Sequence, residues 1–281
     1  MAQPPHLPDH DPKDLAGARA QAHRAAQLVT RAARANLPAR PDDSHSNMGW
    51  DLDRACFRSW PLRPGHAAPT VDLSLAPLTL SLTLEDGTID SLPLDGVPIP
   101  EADTWLDAML GSSGLTPAQE TEIPYDLPDD VARIAVFHAP DGDEAAQALA
   151  AWFGFAASLL TDLERRHAEI LPGPGPVRCW PHHFDIATYV ALEDGDPETA
   201  RGIGVGLSAG DESYGEPYFY INPWPQPDSM TAPLPIGHWH TAGFVGAILT
   251  STVVMELSDR PAEAADFLET AFAAARQRLG V

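Results

Sequence analysis

The sequence feature that most constrains the fold is a run of alternating leucines in residues 71–94. The apolar positions are Val71, Leu73, Leu75, Leu78, Leu80, Leu82, Leu84, Ile89, Leu92 and Leu94. Most of the residues between them are polar, and this period of two is that of a half-buried β-strand. E-D-G-T at 85–88 has the composition of a hairpin turn. The segment therefore predicts an antiparallel meander that buries one face.

Four other stretches have the spacing of amphipathic helices. They are residues 15–36, 101–110, 143–170 and 261–279, and the third of them has the widest apolar face. The second follows a proline, and the last has a proline at its start. These helices are long enough to cover the faces of a sheet.

The second half of the chain repeats this order of elements. Strands are predicted at 177–192, 201–208, 218–221 and about 238–247, and a short strand at 132–137 precedes the long helix. The order predicts an α+β fold with antiparallel β-meanders in two similar halves, a long central helix, and a C-terminal helix packed on the sheet. No residue-level repeat accompanies the similar order, so an internal duplication stays open.

The composition excludes several classes of function. With 40 acidic and 17 basic residues, the chain has a formal net charge of −23, which argues against nucleic acid and anionic membranes as partners. Two cysteines, Cys56 and Cys179, favour a reducing compartment over a disulfide framework. No signal-peptide pattern opens the chain, and the longest apolar run, 241–255, is shorter than the ~20 residues that span a bilayer. We therefore expect a cytoplasmic protein, with its oligomeric state open.

The composition also suggests the domain boundaries. Residues 1–12 are rich in Pro, His and Asp, and are predicted to be a disordered tail. Residues 13–281 are expected to form a single α+β domain with candidate halves at 13–142 and 143–281.

Histidines and carboxylates in the second half suggest a site. Side chains alternate along a strand, so in an extended 177–192 segment His183 would share a face with Asp185 and Tyr189. His182 would lie on the opposite, apolar face and satisfy a buried partner. His238 and His240 would share one face of a later strand. The predicted metal ligands are His183, Asp185, His238 and His240.

These residue types suit a divalent metal such as Zn²⁺, Fe²⁺ or Mn²⁺. Glu216 is the candidate for a fourth ligand or a catalytic general base. The alternative is that histidine and aspartate simply satisfy each other in a half-buried sheet, because H-H-F-D and H-W-H are not established metal motifs.

Aromatic residues flank these polar groups and are the candidate ligand-binding residues. Their rings would stack on a sugar, a base or an ammonium group. The alternative is that they are buried at sheet edges and turns. The set is Trp180, Tyr189, Tyr218, Trp224 and Trp239, and Tyr220 flanks the same polar groups.

The glycines at 202, 204, 206 and 210 do not indicate a dinucleotide site. They alternate along a predicted strand and do not open a helix. Small residues at this period are typical of a strand that faces a bulky aromatic group or a close backbone.

Four motifs, in order, resemble a family of uncharacterised bacterial proteins catalogued as a domain of unknown function. The motifs are L-S-L-T-L-E-D-G-T-I-D-S-L-P-L, E-I-P-Y-D-L-P, F-D-I-A and E-P-Y-F-Y-I-N-P-W-P, and together they cover most of residues 45–280. The resemblance implies a shared α+β fold. It also makes His45 a candidate ligand-binding residue, by correspondence with a histidine in the family's N-terminal motif. This chain has W-P-H-H where the family has tryptophan-glycine-serine.

Two functional hypotheses follow. The first is a His/carboxylate site, with or without a metal, that performs chemistry on a small molecule. The alternative is a non-catalytic small-molecule binding or accessory protein with an aromatic-lined pocket. Whether the protein is an enzyme stays open, and a protein that serves only assembly is a third class.

Overall fold

A computed structural model describes residues 4–65, 68–196 and 199–280. The chain divides into two compact units. The N-terminal unit comprises Leu15–Ala150 and Cys179–Phe184, and the C-terminal unit comprises Met1–Asp14, Ala151–Arg178 and Asp185–Val281. The boundary at Ala150 lies close to the expected one at 142, but the sequence did not predict that Cys179–Phe184 would belong with the N-terminal half.

The N-terminal unit contains a five-stranded antiparallel sheet. Its strands are β1 (Gly49–Asp51), β2 (Cys56–Arg58), β3 (Thr70–Leu75), β4 (Leu78–Thr83) and β5 (Ile89–Pro93), and they neighbour one another in chain order. Val71 lies opposite Leu82, and Leu73 opposite Leu80, and all four side chains are buried. The predicted meander is therefore confirmed.

The helices of this unit are α1 (Ala16–Asn36), α2 (Ile99–Ser112) and α3 (Asp129–Ala132). The long helix α4 (Glu144–Arg166) begins in the N-terminal unit and continues in the other. The predicted strand at 132–137 is wrong, because the chain forms α3 and then only an isolated bridge between Val136 and Pro98. Pro128 followed by two aspartates is a helix start, and here that signal outweighs the β-branched residues that follow it.

The C-terminal unit is built on a seven-stranded antiparallel sheet. Six strands lie in the order β11-β12-β10-β9-β8-β6, and α5 (Ser251–Glu256) and α6 (Arg260–Leu279) complete the unit, with α6 packed on β9, β10 and β12. The strands are β6 (Gly173–Pro174), β7 (Arg178–Trp180, where the chain passes between the units), β8 (Asp185–Ala191), β9 (Gly202–Ser208), β10 (Tyr218–Trp224), β11 (His238–His240) and β12 (Gly246–Thr250). The predicted α+β class is confirmed.

Two predicted strands are each broken into two. The segment 177–192 is interrupted at 181–184 by a turn, in which the Phe184 N–H donates to the Trp180 carbonyl at 2.8 Å. Phe184 itself has φ 55°, a left-handed conformation that no strand contains. The segment 238–247 ends as a strand at His240 and resumes at Gly246.

The long helix α4 is a core helix of the fold. Among the described residues it is the one helix long and apolar enough to cross a membrane, but 72% of that window is buried inside the structure. The core helix of a soluble protein has this property, and the burial accounts for the wide apolar face seen in the sequence.

The structure differs from the expected disordered tail at residues 4–12. Leu7 is only 2% exposed, and its carbonyl accepts a hydrogen bond from the Arg260 guanidinium at 3.3 Å. Pro12 is buried as well, so two side chains of this short segment pack into the structure. Residues 1–3 of the predicted tail lie outside the described residues.

Candidate functional site

The C-terminal sheet has one apolar face. Residues opposite one another in antiparallel strands point to the same side, so the strand register assigns each residue to a face. Helix α6 packs on the apolar face, and Phe155 of α4 contacts Phe219 there with ring centroids 6.2 Å apart. The fully buried residues on this face include Ile186, Val190, Ile203, Val205, Leu207, Phe219, Ile221, Ala247 and Leu249.

The opposite side of this sheet, which we call the polar face, carries tyrosines, glycines, histidines and Asp185 together with Ala187, Ile248 and Thr250. Asp185 lies opposite Ser208, which in turn lies opposite Tyr218. On β8 to β12, none of the residues on this face is Lys or Arg. Its residues include Asp185, Tyr189, Gly202, Gly204, Gly206, Ser208, Tyr218, Tyr220, Asn222, Trp224, His238 and His240.

The glycines of β9 make room for tyrosine rings of the chain itself. A Cβ atom on Gly206 would lie 2.6 Å from the Tyr220 hydroxyl and 2.7 Å from the Ile186 carbonyl oxygen. A Cβ atom on Gly202 would collide with the Tyr189 ring. The alternating glycines therefore accommodate aromatic side chains of neighbouring strands, which the sequence alone could not distinguish from a bulky ligand.

We expect Gly206→Ala to lower the free energy of unfolding by about 1–3 kcal/mol, because the added methyl group must displace a tyrosine and a strand backbone. Gly204→Ala is the matched control on the same strand and face, since its Cβ atom would meet its nearest neighbours only at 3.9 Å. Urea denaturation of both variants tests this. Equal losses of stability would show that the tyrosine rings do not lie over Gly206.

Two tyrosines of the polar face donate hydrogen bonds to carboxylates. The Tyr220 hydroxyl donates to Asp185 Oδ2, and the Tyr218 hydroxyl donates to Asp211 Oδ2 at 2.5 Å. Burial raises the pKa of Tyr218, and the hydrogen bond to Asp211 raises it further. Tyr218 therefore stays protonated at neutral pH and acts as a donor.

Tyr214 connects the two histidines of β11. Its hydroxyl lies 2.9 Å from His238 Nε2 and 2.9 Å from His240 Nδ1, while His240 Nε2 lies 2.6 Å from the Ala242 carbonyl. A carbonyl only accepts, so His240 carries its proton on Nε2 and leaves Nδ1 to accept from Tyr214. The Tyr214 oxygen then accepts from His238 Nε2–H. This His238–Tyr214–His240 relay has one consistent direction of donation.

Asp211 holds the loop that carries Tyr214. Its Oδ1 accepts the backbone N–H groups of Ser213 at 2.8 Å and Tyr214 at 3.0 Å. The rings of Tyr214 and Tyr218 are 4.9 Å apart, so contacts run without a break from Asp185 to His240. Tyr214 was not among the predicted site residues. Its one sequence signal is its place in the polar loop G-D-E-S-Y-G-E.

Glu216 has a structural position, in contrast to the predicted role of base or ligand. Its Oε2 accepts the Ser251 hydroxyl at 2.7 Å and the Thr252 N–H at 2.6 Å. These groups lie in the first turn of α5, whose N–H groups need external acceptors. The carboxylate therefore caps a helix.

The predicted aromatic residues of this unit separate between the two faces. Tyr189, Tyr218 and Trp224 lie on the polar face, and Tyr189 is 44% exposed. Trp239 points to the other side of β11, and its indole N–H donates to the Ala232 carbonyl at 2.7 Å.

The adjacent histidines lie in the 181–184 turn of the N-terminal unit, and not on a strand. His183 is exposed, so the predicted alternation that placed it with Asp185 and Tyr189 does not hold. The His182 ring is half-buried and lies 5.7 Å from Tyr125 and 6.2 Å from Trp180. Burial lowers the pKa of His182 to about 4, which makes it neutral at pH 7.

The Pro181 carbonyl of this turn is held by α1. His23 Nε2 and Gln27 Nε2 both donate to it at 2.9 Å. Burial lowers the pKa of His23 to about 4, so the neutral ring carries its proton on the nitrogen that faces the carbonyl. Sequence reasoning missed both residues, because they lie 158 and 154 positions away from Pro181.

His45, the remaining predicted ligand-binding residue, is 3% exposed in a short 3₁₀ helix, Ser44–Ser46. Its Nδ1 accepts the Arg40 N–H at 3.2 Å, and burial lowers its pKa. These contacts give the side chain a place in the local packing of the N-terminal unit.

Across residues 4–65, 68–196 and 199–280, no group of three or more His, Cys, Asp or Glu side chains is arranged to hold a metal ion. Comparisons with protein-family models, with curated proteins and with solved structures find no match for this chain. The family resemblance carried by the four motifs therefore stays a prediction.

Proposed function

We propose that the polar face of the C-terminal sheet binds a small polar molecule that is neutral or positively charged. The observation that carries this proposal is the composition of the face: four of the chain's five tyrosines contribute to it or to the loop above it, with two histidines, two carboxylates and, on β8 to β12, no Lys or Arg. A sheet face that serves only solubility carries mainly small polar and charged side chains, and not a group of tyrosines.

The face offers both stacking surfaces and hydrogen-bonding groups. Tyr189 is the most exposed of the aromatic residues, and Trp224 is half-buried. Such rings stack on apolar faces of sugars and heterocycles, and attract cations. Asn222 adds an acceptor, because its Oδ1 is buried with no hydrogen-bond partner in the described part of the chain. A buried acceptor of this kind calls for an external donor.

The His238–Tyr214–His240 relay supports a second candidate, acid–base catalysis on the bound molecule. When His238 Nδ1 takes a proton from a bound molecule, the His238 Nε2 proton can pass through the Tyr214 hydroxyl to His240 Nδ1, which leaves His238 neutral and His240 as the imidazolium. His238 is exposed at the start of this relay, where a substrate has access to its ring. Metal-dependent chemistry at His183, Asp185, His238 and His240 stays a prediction, and metal analysis of the purified protein tests it separately.

The test is calorimetric binding of methyl α-glucoside, choline and nicotinamide. We expect at least one of the three to bind, and Tyr220→Phe or Tyr214→Phe to weaken it about tenfold, the cost of one hydrogen bond. Tyr125→Phe is the matched control, since Tyr125 belongs to the N-terminal unit.

Incubation of the bound compound with the protein, followed by NMR of the solution, separates binding from catalysis. Turnover that Tyr214→Phe abolishes, while the affinity falls by no more than the expected tenfold, would favour the catalytic candidate. No binding of any of the three compounds, or binding that is equally weakened by Tyr125→Phe, would contradict the proposal.

A further inference from the structure

An open cavity of about 350 Å³ lies between α1 and residues 121–123, which include the first two residues of the E-I-P-Y-D-L-P motif. This volume is near the lower end of the range of about 300–1,000 Å³ for small-molecule pockets. The cavity belongs to the N-terminal unit and contains none of the residues of the polar face. It is lined by Arg24, Gln27, Arg31, Thr121, Glu122 and Ile123.

Helix periodicity places the α1 side of this cavity. Residues three, four and seven positions apart share one face of a helix, so Arg24, Gln27 and Arg31 form a single stripe. Gln27 is fully committed, because its amide nitrogen donates to the Pro181 carbonyl and its Oε1 accepts from the Tyr125 hydroxyl at 2.8 Å. The two arginines therefore supply the polar groups on this side that are available to a ligand.

The opposite wall is held by specific hydrogen bonds. Asn36 pairs with the backbone of Thr116 in both directions, at 3.0 and 2.8 Å. Asp107 Oδ1 accepts the backbone N–H groups of Ala118 at 2.6 Å and Gln119 at 3.1 Å. With the Tyr125 hydroxyl on Gln27, these contacts fix the segment on both sides of residues 121–123. The cavity is thus a built feature and not a gap beneath a loose loop.

The charge of the two arginines is only partly compensated. Arg31 forms an ion pair with Asp103. Among the described residues, no carboxylate lies within ion-pair distance of Arg24, and its Nε is buried without a hydrogen-bond partner. Burial and the neighbouring charge of Arg31 lower the pKa of Arg24. Within the described ranges, Arg24 is one of several arginines without an ion-paired carboxylate, and it differs from Arg40, Arg260 and Arg278 in having a buried Nε without a hydrogen-bond partner and a second guanidinium, Arg31, in the same cavity.

We propose that this cavity binds a small oxyanion, a carboxylate or phosphate group, through the guanidinium of Arg24 with Arg31 beside it. Planar guanidinium groups bind both kinds of oxyanion through paired N–H donors. Glu122 lies on the exposed rim of the cavity, and its negative charge repels anions. This repulsion grows with the charge of the ligand, so it favours a small oxyanion over a polyanion. This proposal is independent of the polar face, because it concerns the other unit and a ligand of opposite charge.

The test follows the side-chain N–H signals of the arginines by NMR in the full-length protein. Inorganic phosphate and succinate are titrated separately, at an ionic strength held constant with chloride. We expect a saturable shift of the Arg24 Nε–H signal with one or both anions. If only one anion causes a shift, that result identifies the group that the cavity binds as a phosphate or as a carboxylate. No saturable shift with either anion would overturn the proposal.

Two variants make the test specific. Arg24→Gln should weaken binding about tenfold or more, whereas Arg276→Gln should leave it unchanged. Arg276 is the matched control, because its Nε is also buried without a partner but lies on α6 in the C-terminal unit. An equal loss of anion affinity in both variants would show that binding depends only on the net charge of the protein, and would contradict a site at Arg24. If Arg24→Gln fails to fold, Arg24→Lys replaces it, because lysine keeps the positive charge but lacks the paired N–H donors of the guanidinium. The titration of the wild-type protein tests the proposal without either variant.

Discussion

Phe219→Ala should lower the free energy of unfolding by about 3–5 kcal/mol, the cost of removing a fully buried aromatic side chain. Phe219 is 0% exposed on β10, which lies between β9 and β12, and its ring contacts Phe155 of α4. No small movement refills such a site, because strands on both sides and a helix above hold its walls. Urea denaturation of the purified variant measures the loss.

The adjacent Tyr218 provides the control for that experiment. Tyr218→Phe removes only a hydroxyl on the opposite face, and its acceptor Asp211 is exposed and can bind water instead. We expect this change to cost no more than about 1.5 kcal/mol. If Tyr218→Phe cost as much as Phe219→Ala, the assignment of the two faces would be wrong.

Asp72→Ala should lower the free energy of unfolding by about 3 kcal/mol. The Asp72 side chain is 3% exposed and accepts hydrogen bonds from Arg54 at 2.8 Å, Arg58 at 2.9 Å and Thr83 at 2.9 Å. Breaking a buried ion pair costs about 3–5 kcal/mol because it leaves charge without its partner. We expect a loss at the lower end of this range of free energies, because both guanidinium groups are about one-third exposed and water replaces part of the interaction.

Asp129→Ala is the matched control for Asp72, because it removes an exposed ion pair with Arg133 on the surface of a short helix. Such pairs contribute about 0.5 kcal/mol or less. Thermal unfolding at low and high salt compares the two variants. A loss for Asp72→Ala as small as that for Asp129→Ala would contradict a structural role for the buried carboxylate.

The sequence predicted the parts of the fold that depend on residues close to one another along the chain. The alternation in 71–94 predicts strands because the paired residues are close in sequence. Leu73, for example, lies opposite Leu80 across a short hairpin. The burial of Asp72 could not be predicted in this way. It depends on Arg58, which the register places opposite it on β2, and on Arg54 from the preceding turn.

The candidate site shows the same division between local and non-local information. That His238 and His240 share a face follows from strand alternation, but their link through Tyr214 depends on a loop that Asp211 shapes. The contact between Asp185 and Tyr220 depends on the joint register of three strands. His183 was misplaced because alternation was extended through Phe184, whose left-handed backbone ends the regular pattern.

The central claim is that the polar face is a binding surface, and tyrosine NMR tests it most directly. The chain has five tyrosines, so selective labelling gives a spectrum that can be assigned by five single substitutions. Titration with methyl α-glucoside, choline and nicotinamide then reports on every ring at once. Four tyrosines, at 189, 214, 218 and 220, belong to the polar face or its loop, and Tyr125 belongs to the other unit. We predict saturable shifts of Tyr220 and its neighbours with an unchanged Tyr125 signal, whereas no shift with any of the compounds, or a shift of Tyr125 alone, would contradict the account.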